Sequence, residues 1–202
     1  MLNSVDKLLK HSALLAPQKV SFVDSNGSIT YSKLDELSDI LASKILDLNI
    51  QKSPILIILP KGINAIISFF AVLKSGNFYT IIDENMPLER INKIIQKLNP
   101  ALLITNKDLN SNLNLKTIYI DELSSFKIDT KILNSVKIID TDLAYVLFTS
   151  GSTGEPKGVS ISHKSLIDFI IACTNDLAID DTHIIANQAP FYFDLSVFDI
   201  YI

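Results

Sequence analysis

The chain has 202 residues, 48% of them hydrophobic, a net charge of −4 and a single cysteine. That size and apolar content allow one sizeable core, or part of a larger domain, and exclude a disordered chain. No basic run is present to form an electrostatic footprint for nucleic acid or an anionic membrane, and the lone Cys173 excludes an internal disulfide and a cysteine metal cluster.

The start of the chain carries Asp6 and alternates polar with apolar residues, so no secretory signal is expected. The most apolar stretches, 55–59 and 65–73, fall far short of the ~20 residues that cross a bilayer, and a cytoplasmic location is expected. Residues 5–15 place Val5, Leu8, Leu9 and Ser12 on one face and predict a short amphipathic helix ending before Pro17. Val20 and Phe22, then Ile29 and Tyr31, flank Ser25-Asn26-Gly27-Ser28 and predict a hairpin whose Asn-Gly supplies positive φ angles. Ser32 is the expected cap of a helix with Leu34, Leu37, Leu41, Ile45 and Leu48 as its buried stripe.

From Pro54 onward short apolar strands alternate with helices, the signature of a parallel sheet flanked by helices, that is, an α/β fold. Strands are predicted at 55–59, 79–82 and 101–105, with helices at 63–74, stopped by Gly76, and 87–98, opened by Pro87. Residues 106–140 are the least legible, with strands expected at 117–120 and near 136–139. A strand at 144–148 leads into a glycine-rich stretch, and alternation resumes at Val159 and Ile161, so that stretch joins two strands. A helix at 166–172 and a strand at 184–186 complete the pattern.

The stretch 147–159 reads Leu-Phe-Thr-Ser-Gly-Ser-Thr-Gly-Glu-Pro-Lys-Gly-Val. Gly151, Gly154 and Gly158 free backbone N–H groups to form an anion-binding concavity, Thr149, Ser150, Ser152 and Thr153 add hydroxyls, and Lys157 adds a cation. It is not the P-loop of nucleotide triphosphatases. Counted from Gly151, Pro156 stands where the second glycine belongs and Gly158 where the hydroxyl belongs, and no helix follows. The alternatives are a solvated glycine-serine turn and, for Lys157, a surface lysine or a partner for Glu155.

The string Thr-Ser-Gly-Ser-Thr-Gly-x-Pro-Lys-Gly resembles the signature of the adenylate-forming, or AMP-binding, synthetases. The segments 29–34, and 73–79 followed by Asp83, are similar to earlier signatures of that family, although Asn77 replaces the usual alanine and Ile81 a proline. The resemblance implies that Thr149, Ser150, Gly151, Ser152, Thr153, Gly154 and Lys157 bind the β- and γ-phosphates of ATP while a substrate carboxylate attacks the α-phosphorus. Acyl-adenylate and pyrophosphate would result, and a mobile donor-rich loop suits that electrostatic task.

Within 187–202, Phe193-Asp194-Leu195-Ser196 is similar to the element with which amino-acid-activating members hold the substrate ammonium. A carboxylate beside Phe191 and Phe193 pairs more strongly with an amine as water is excluded; the simpler alternative is that Asp194 caps a helix from Leu195. The whole string resembles ligases that load D-alanine onto a carrier protein, and next the adenylation domains of peptide synthetases. His163, at a helix start, is expected to make a structural hydrogen bond instead of serving as a base.

The resemblance implies that residues 1–202 form a partial N-terminal AMP-binding domain, and that the C-terminal lid domain, the catalytic lysine and the adenine, ribose and Mg²⁺ ligands lie beyond it. The apolar end, with Val197, Phe198, Ile200, Tyr201 and Ile202, reads as a cut in the sequence. The missing half would then come from a further chain, a phosphopantetheine carrier protein would accept the amino acid, and no catalytic residue or metal ligand is expected among these 202 residues. A non-catalytic remnant or nucleotide-binding module is the alternative.

Overall fold

The computed structural model describes residues 3–107, 113–150 and 155–202, without the side chain of Ser150. Helix α1 (Asp6–Leu15) precedes a two-stranded hairpin, β1 (Val20–Asp24) and β2 (Gly27–Thr30), and helix α2 (Tyr31–Asp47). There follow β3 (Pro54–Ile58), α3 (Ile63–Lys74), β4 (Phe78–Ile82), α4 (Leu88–Leu98), β5 (Leu102–Thr105), β6 (Thr117–Tyr119) and α5 (Thr130–Ser135). The remaining elements are β7 (Leu143–Ser150), β8 (Pro156–Ser162), α6 (His163–Asp176) and α7 (Leu195–Tyr201). A six-stranded sheet runs in the order β6-β5-β3-β4-β7-β8, parallel throughout except for β8, which returns antiparallel on β7.

Burial on both sheet faces explains the continuous apolar runs. Successive side chains alternate across a strand, so Ile55, Ile57, Ile81, Leu102 and Ile104 pack with the α2 and α3 side. Leu56, Ile58, Ile82 and Leu103 pack with Ile91 and Ile94 of α4 on the other face. The predicted stripe of α2 holds, with Leu34, Leu41 and Ile45 fully buried and Leu37 and Leu48 packed on the same core. Between α2 and α3, Lys74 Nζ is buried against Asp35 Oδ1 (2.5 Å) and Asp39 Oδ1 (2.6 Å).

Several local expectations are corrected. The hairpin closes on Ser25-Asn26, and the left-handed residue is Gly27 alone, at φ 147°. Asp24 Oδ1 accepts the N–H groups of Asn26 and Gly27, which does the work expected of an Asn-Gly turn. The other carboxylate oxygen accepts Ile63 N–H at 2.9 Å, so the hairpin caps α3 from outside, and these bonds, Ile63 first, hold the Asp24 carboxyl below its ordinary pKa. A Cβ at Gly62 would lie 2.8 Å from Asp24 Oδ2 and would displace that capping carboxylate. Thr30, not Ser32, caps α2, by accepting Lys33 N–H.

The strand expected near 136–139 is extended chain whose side chains pack instead of pairing: a Cβ on Gly76, itself at φ 71°, would lie 2.9 Å from Val136 Cγ1. Helix α5, capped by Asp129, takes the preceding residues. The strand expected at 184–186 is also absent, and Ile184 is 99% exposed. The apolar end is not left open to solvent, since Val197 and Ile200 are buried and Tyr201 and Ile202 pack on the same core.

Asn77, the departure at the α3–β4 turn, is a buried junction. Its Nδ2 donates to Ile50 O (3.0 Å) and to Ser75 Oγ (2.9 Å), and its Oδ1 accepts Ser53 N–H at 3.0 Å. Asn77→Ala leaves those groups without partners and should lower stability by about 1–3 kcal/mol. For a chain of this size that is a drop in melting temperature of roughly 3–10 °C by calorimetry.

His163 is 1% exposed, and its Nδ1 accepts the N–H of Val5 at 3.2 Å, tying α6 to the start of α1. Burial depresses its pKa, opposed by the negative charges of Asp6 and Asp142. The unfolded imidazole titrates near about 6.5 and takes up a proton that the folded one refuses. Stability from this group is therefore full above that pH and falls as the pH drops toward the folded value. His163→Asn, which keeps an acceptor and removes the titration, should flatten this part of the dependence of unfolding free energy on pH below about 6.5.

Candidate functional site

Ligands of open parallel sheets bind beyond the carboxyl ends of the strands, where the chain reverses its direction of travel across the sheet. Here β4 is added on one side of β3 and β5 on the other, so the direction of travel reverses about β3. Residues 59–62 leave β3 at that edge, Asp83 leaves β4, and the glycine-rich stretch leaves β7.

The segment 187–194 is anchored to the same edge. Lys61 Nζ donates to Asn187 O at 2.7 Å and sits 5.9 Å from the Phe191 ring centroid. The Tyr192 phenol lies against Asp83, and burial together with that carboxylate raises its pKa. Beneath, Phe69 stacks on Tyr79 at 4.5 Å and meets Phe191 edge-on at 5.4 Å. Tyr79 also packs on Tyr145, and its hydroxyl lies 2.8 Å from that of Tyr201 in α7. Neither Tyr192 nor this aromatic floor was singled out in the sequence, where single tyrosines spaced across the chain carry no local pattern.

Asp194 sits at the first turn of α7. Its side chain makes no capping bond, so capping does not account for it, and it is exposed. Ser196 fixes the turn instead: its buried Oγ lies 2.6 Å from Phe193 O and 3.2 Å from Phe191 O, which share its proton. Phe193 is itself largely exposed, so the partial desolvation expected of Asp194 is not observed. Burial and then the charge of Asp194 push the Tyr145 phenol up to about 12.

The glycine-rich stretch joins β7 to β8 as expected of a strand-to-strand loop. Gly151, Ser152, Thr153 and Gly154 lie outside the described residues, as does the side chain of Ser150. Thr149 and Lys157 face each other across the hairpin, both exposed, with Thr149 Oγ1 3.4 Å from Lys157 O. Gly158 is dictated by close approach, since a Cβ would lie 2.9 Å from Val146 Cγ1 and 3.3 Å from Phe148 Cζ. Glu155 pairs with Lys93 of α4 and not with Lys157. Among the described residues no group of three or more His, Cys, Asp or Glu side chains is arranged to hold a metal ion, and no helix is long and apolar enough to cross a membrane.

An edge with hydroxyls and a cation at β7–β8 and a carboxylate at α7 can receive a ligand that is anionic at one end and cationic at the other. The chain is 38% identical over 200 residues to the D-alanine–D-alanyl carrier protein ligase of Bacillus velezensis, a match that covers 96% of this chain and 39% of that protein. It is 29% identical to a plipastatin synthase polypeptide of Bacillus subtilis over 96% of this chain and 8% of that one. Among solved structures, the nonribosomal peptide synthetase FmoA3 superposes with a TM-score of 0.88 at 21% identity, over 98% of this chain and 21% of that one, a likeness of fold. The chain thus spans about two-fifths of the length of the carrier protein ligase it matches. The sequence model of the AMP-binding enzymes matches residues 9–202, and the chain belongs to that family.

Proposed function

We propose that this chain carries the phosphate-binding loop and the amine-binding carboxylate of an enzyme that activates an amino acid with ATP, with D-alanine as the amino acid. The observation that carries the reading is Asp194, presented at the strand edge from which the glycine-rich stretch departs, in a chain 38% identical to a D-alanine–D-alanyl carrier protein ligase.

In this reading Asp194 pairs with the substrate ammonium and so directs the carboxylate toward the nucleotide. Thr149, Ser150, Gly151, Ser152, Thr153, Gly154 and Lys157 hold the β- and γ-phosphates. The carboxylate oxygen bonds to the α-phosphorus, the bond to the β-phosphate oxygen breaks, and pyrophosphate leaves with its charge met by those donors. The acyl-adenylate then passes its acyl group to the thiol of a phosphopantetheine carrier protein, releasing AMP. Mg²⁺, when bound, neutralises phosphate charge. By the family resemblance, its ligands, the adenine and ribose contacts and a lid-domain lysine are assigned to sequence outside residues 1–202. An ATP-consuming loading reaction of this kind belongs in the cytoplasm. A second reading, an adenylation domain of a peptide synthetase, draws on the likeness to the plipastatin synthase polypeptide.

The test is D-alanine-dependent exchange of pyrophosphate into ATP by this chain completed with the C-terminal three-fifths of the Bacillus velezensis ligase. Exchange with D-alanine well above that with L-alanine or glycine is expected. Preference for another amino acid would favour the peptide-synthetase reading, and ATP binding without any exchange would leave a nucleotide-binding module. In the same assay Asp194→Asn should raise the KM for D-alanine by roughly 10- to 100-fold, the worth of a charged hydrogen bond, with the KM for ATP little changed.

A further inference from the structure

Helix α4 lies on the sheet face opposite α3 and holds both arms of the β7–β8 hairpin. The ascending arm is held by packing: Phe148 lies against the apolar cluster containing Ile91 and Ile94. The descending arm is held by charge. Lys93 Nζ lies 3.2 Å from Glu155 Oε1 and 3.4 Å from Glu89 Oε1, and Lys97 Nζ donates to Pro156 O at 2.8 Å. Glu89, Lys93 and Lys97 are spaced four apart, so they form one ridge along the helix, aimed at Glu155 and Pro156. Glu155 foremost, and then Glu89, raises the Lys93 pKa, so the ammonium remains charged across the physiological range.

This ridge matters because of where Glu155 stands. It follows Gly154 directly and precedes Lys157 by two residues, so a carboxylate sits inside the stretch assigned to phosphate. Pro156 is buried and the adjacent Lys157 exposed, so the bond from Lys97 to the Pro156 carbonyl anchors the backbone next to Lys157.

We propose that Lys93 is a positioning residue for the phosphate-binding loop: it draws the Glu155 carboxylate onto α4, away from the polyphosphate, while Lys97 holds the neighbouring backbone so that Lys157 keeps its aim. The proposal rests on the assignment of this loop to phosphate but not on the identity of the amino acid. An exposed ion pair adds little to stability, so the expected effect is on anion affinity and not on folding.

The experiment is calorimetric titration of the chain with inorganic pyrophosphate and with ATP, for the wild type, Lys93→Ala, Glu155→Gln and the double variant, with melting temperatures recorded alongside. Lys93→Ala should weaken pyrophosphate binding by about fivefold, as expected for an uncompensated carboxylate in water-exposed surroundings. The double variant should recover to within about twofold of the wild type, because the harmful charge has gone. A role confined to helix stability would lower the melting temperature and would not be rescued by Glu155→Gln. Unchanged affinity in Lys93→Ala, or no rescue in the double variant, overturns the proposal. Wild-type protein that binds neither pyrophosphate nor ATP overturns it together with the phosphate assignment, whereas binding with the rescue pattern but no amino-acid-dependent exchange overturns only the proposed reaction.

Discussion

The stacking of Phe69 on Tyr79 is the contact on which the arrangement of the candidate site depends. Phe69 comes from α3 and Tyr79 from β4, both almost wholly buried, so the pair locks a helix to the sheet at its centre. Beyond the area it removes from water, such a pair contributes about 0.5–1.5 kcal/mol. Its larger consequence is geometric. Phe191 meets Phe69 edge-on, and the Tyr79 hydroxyl reaches Tyr201, so the two ends of the segment that carries Asp194 are referenced to one rigid point. Ser196 then sets the turn between them. The backbone turn that carries this exposed carboxylate is thus set by buried aromatic rings.

Much of the sheet and its helices was legible because burial on both faces leaves a strong mark: β3 and β5 are runs of isoleucine and leucine, β4 and β7 are mostly aliphatic and aromatic, and α3 and α4 carry helical spacing between a proline or glycine and the next strand. The failures have a common cause. The short apolar-rich segments 136–139 and 184–186 resemble strands, yet a strand is defined by its neighbour, and at those places the chain packs on Gly76 or runs exposed toward Asn187. Capping failed similarly, because Thr30 and Ser32 are both competent hydroxyls, and the hairpin ladder that ends at Thr30 decides which one meets the helix.

At the site, the glycine-rich stretch and the Phe-Asp-Leu-Ser turn could be found by composition and resemblance, since both are contiguous. Tyr145, Tyr192, Lys61 and Lys93 could not. Each acts through a partner dozens of positions away in sequence: Tyr145 near Asp194, Tyr192 on Asp83, Lys61 on Asn187 and Lys93 on Glu155. The spacing of Glu89, Lys93 and Lys97 was visible, but a charged ridge on a helix ordinarily faces solvent, and only the fold reveals what it meets.

The strand-to-strand setting of the loop also determines what kind of anion site it can be. Where a glycine loop opens a helix, free N–H groups at the helix start and the helix dipole supply a fixed positive end. A loop between antiparallel strands has neither, because strand dipoles nearly cancel. In the proposed role its attraction for phosphate would come from its own N–H groups, from hydroxyls and from Lys157, and any carboxylate in the same stretch would work directly against it. Glu155 is such a carboxylate, and it is tethered by Lys93 to a helix on the far side of the hairpin. Without a helix beneath it the loop depends on α4 beside it, which supplies both the apolar seat for Phe148 and the cations that hold the descending arm.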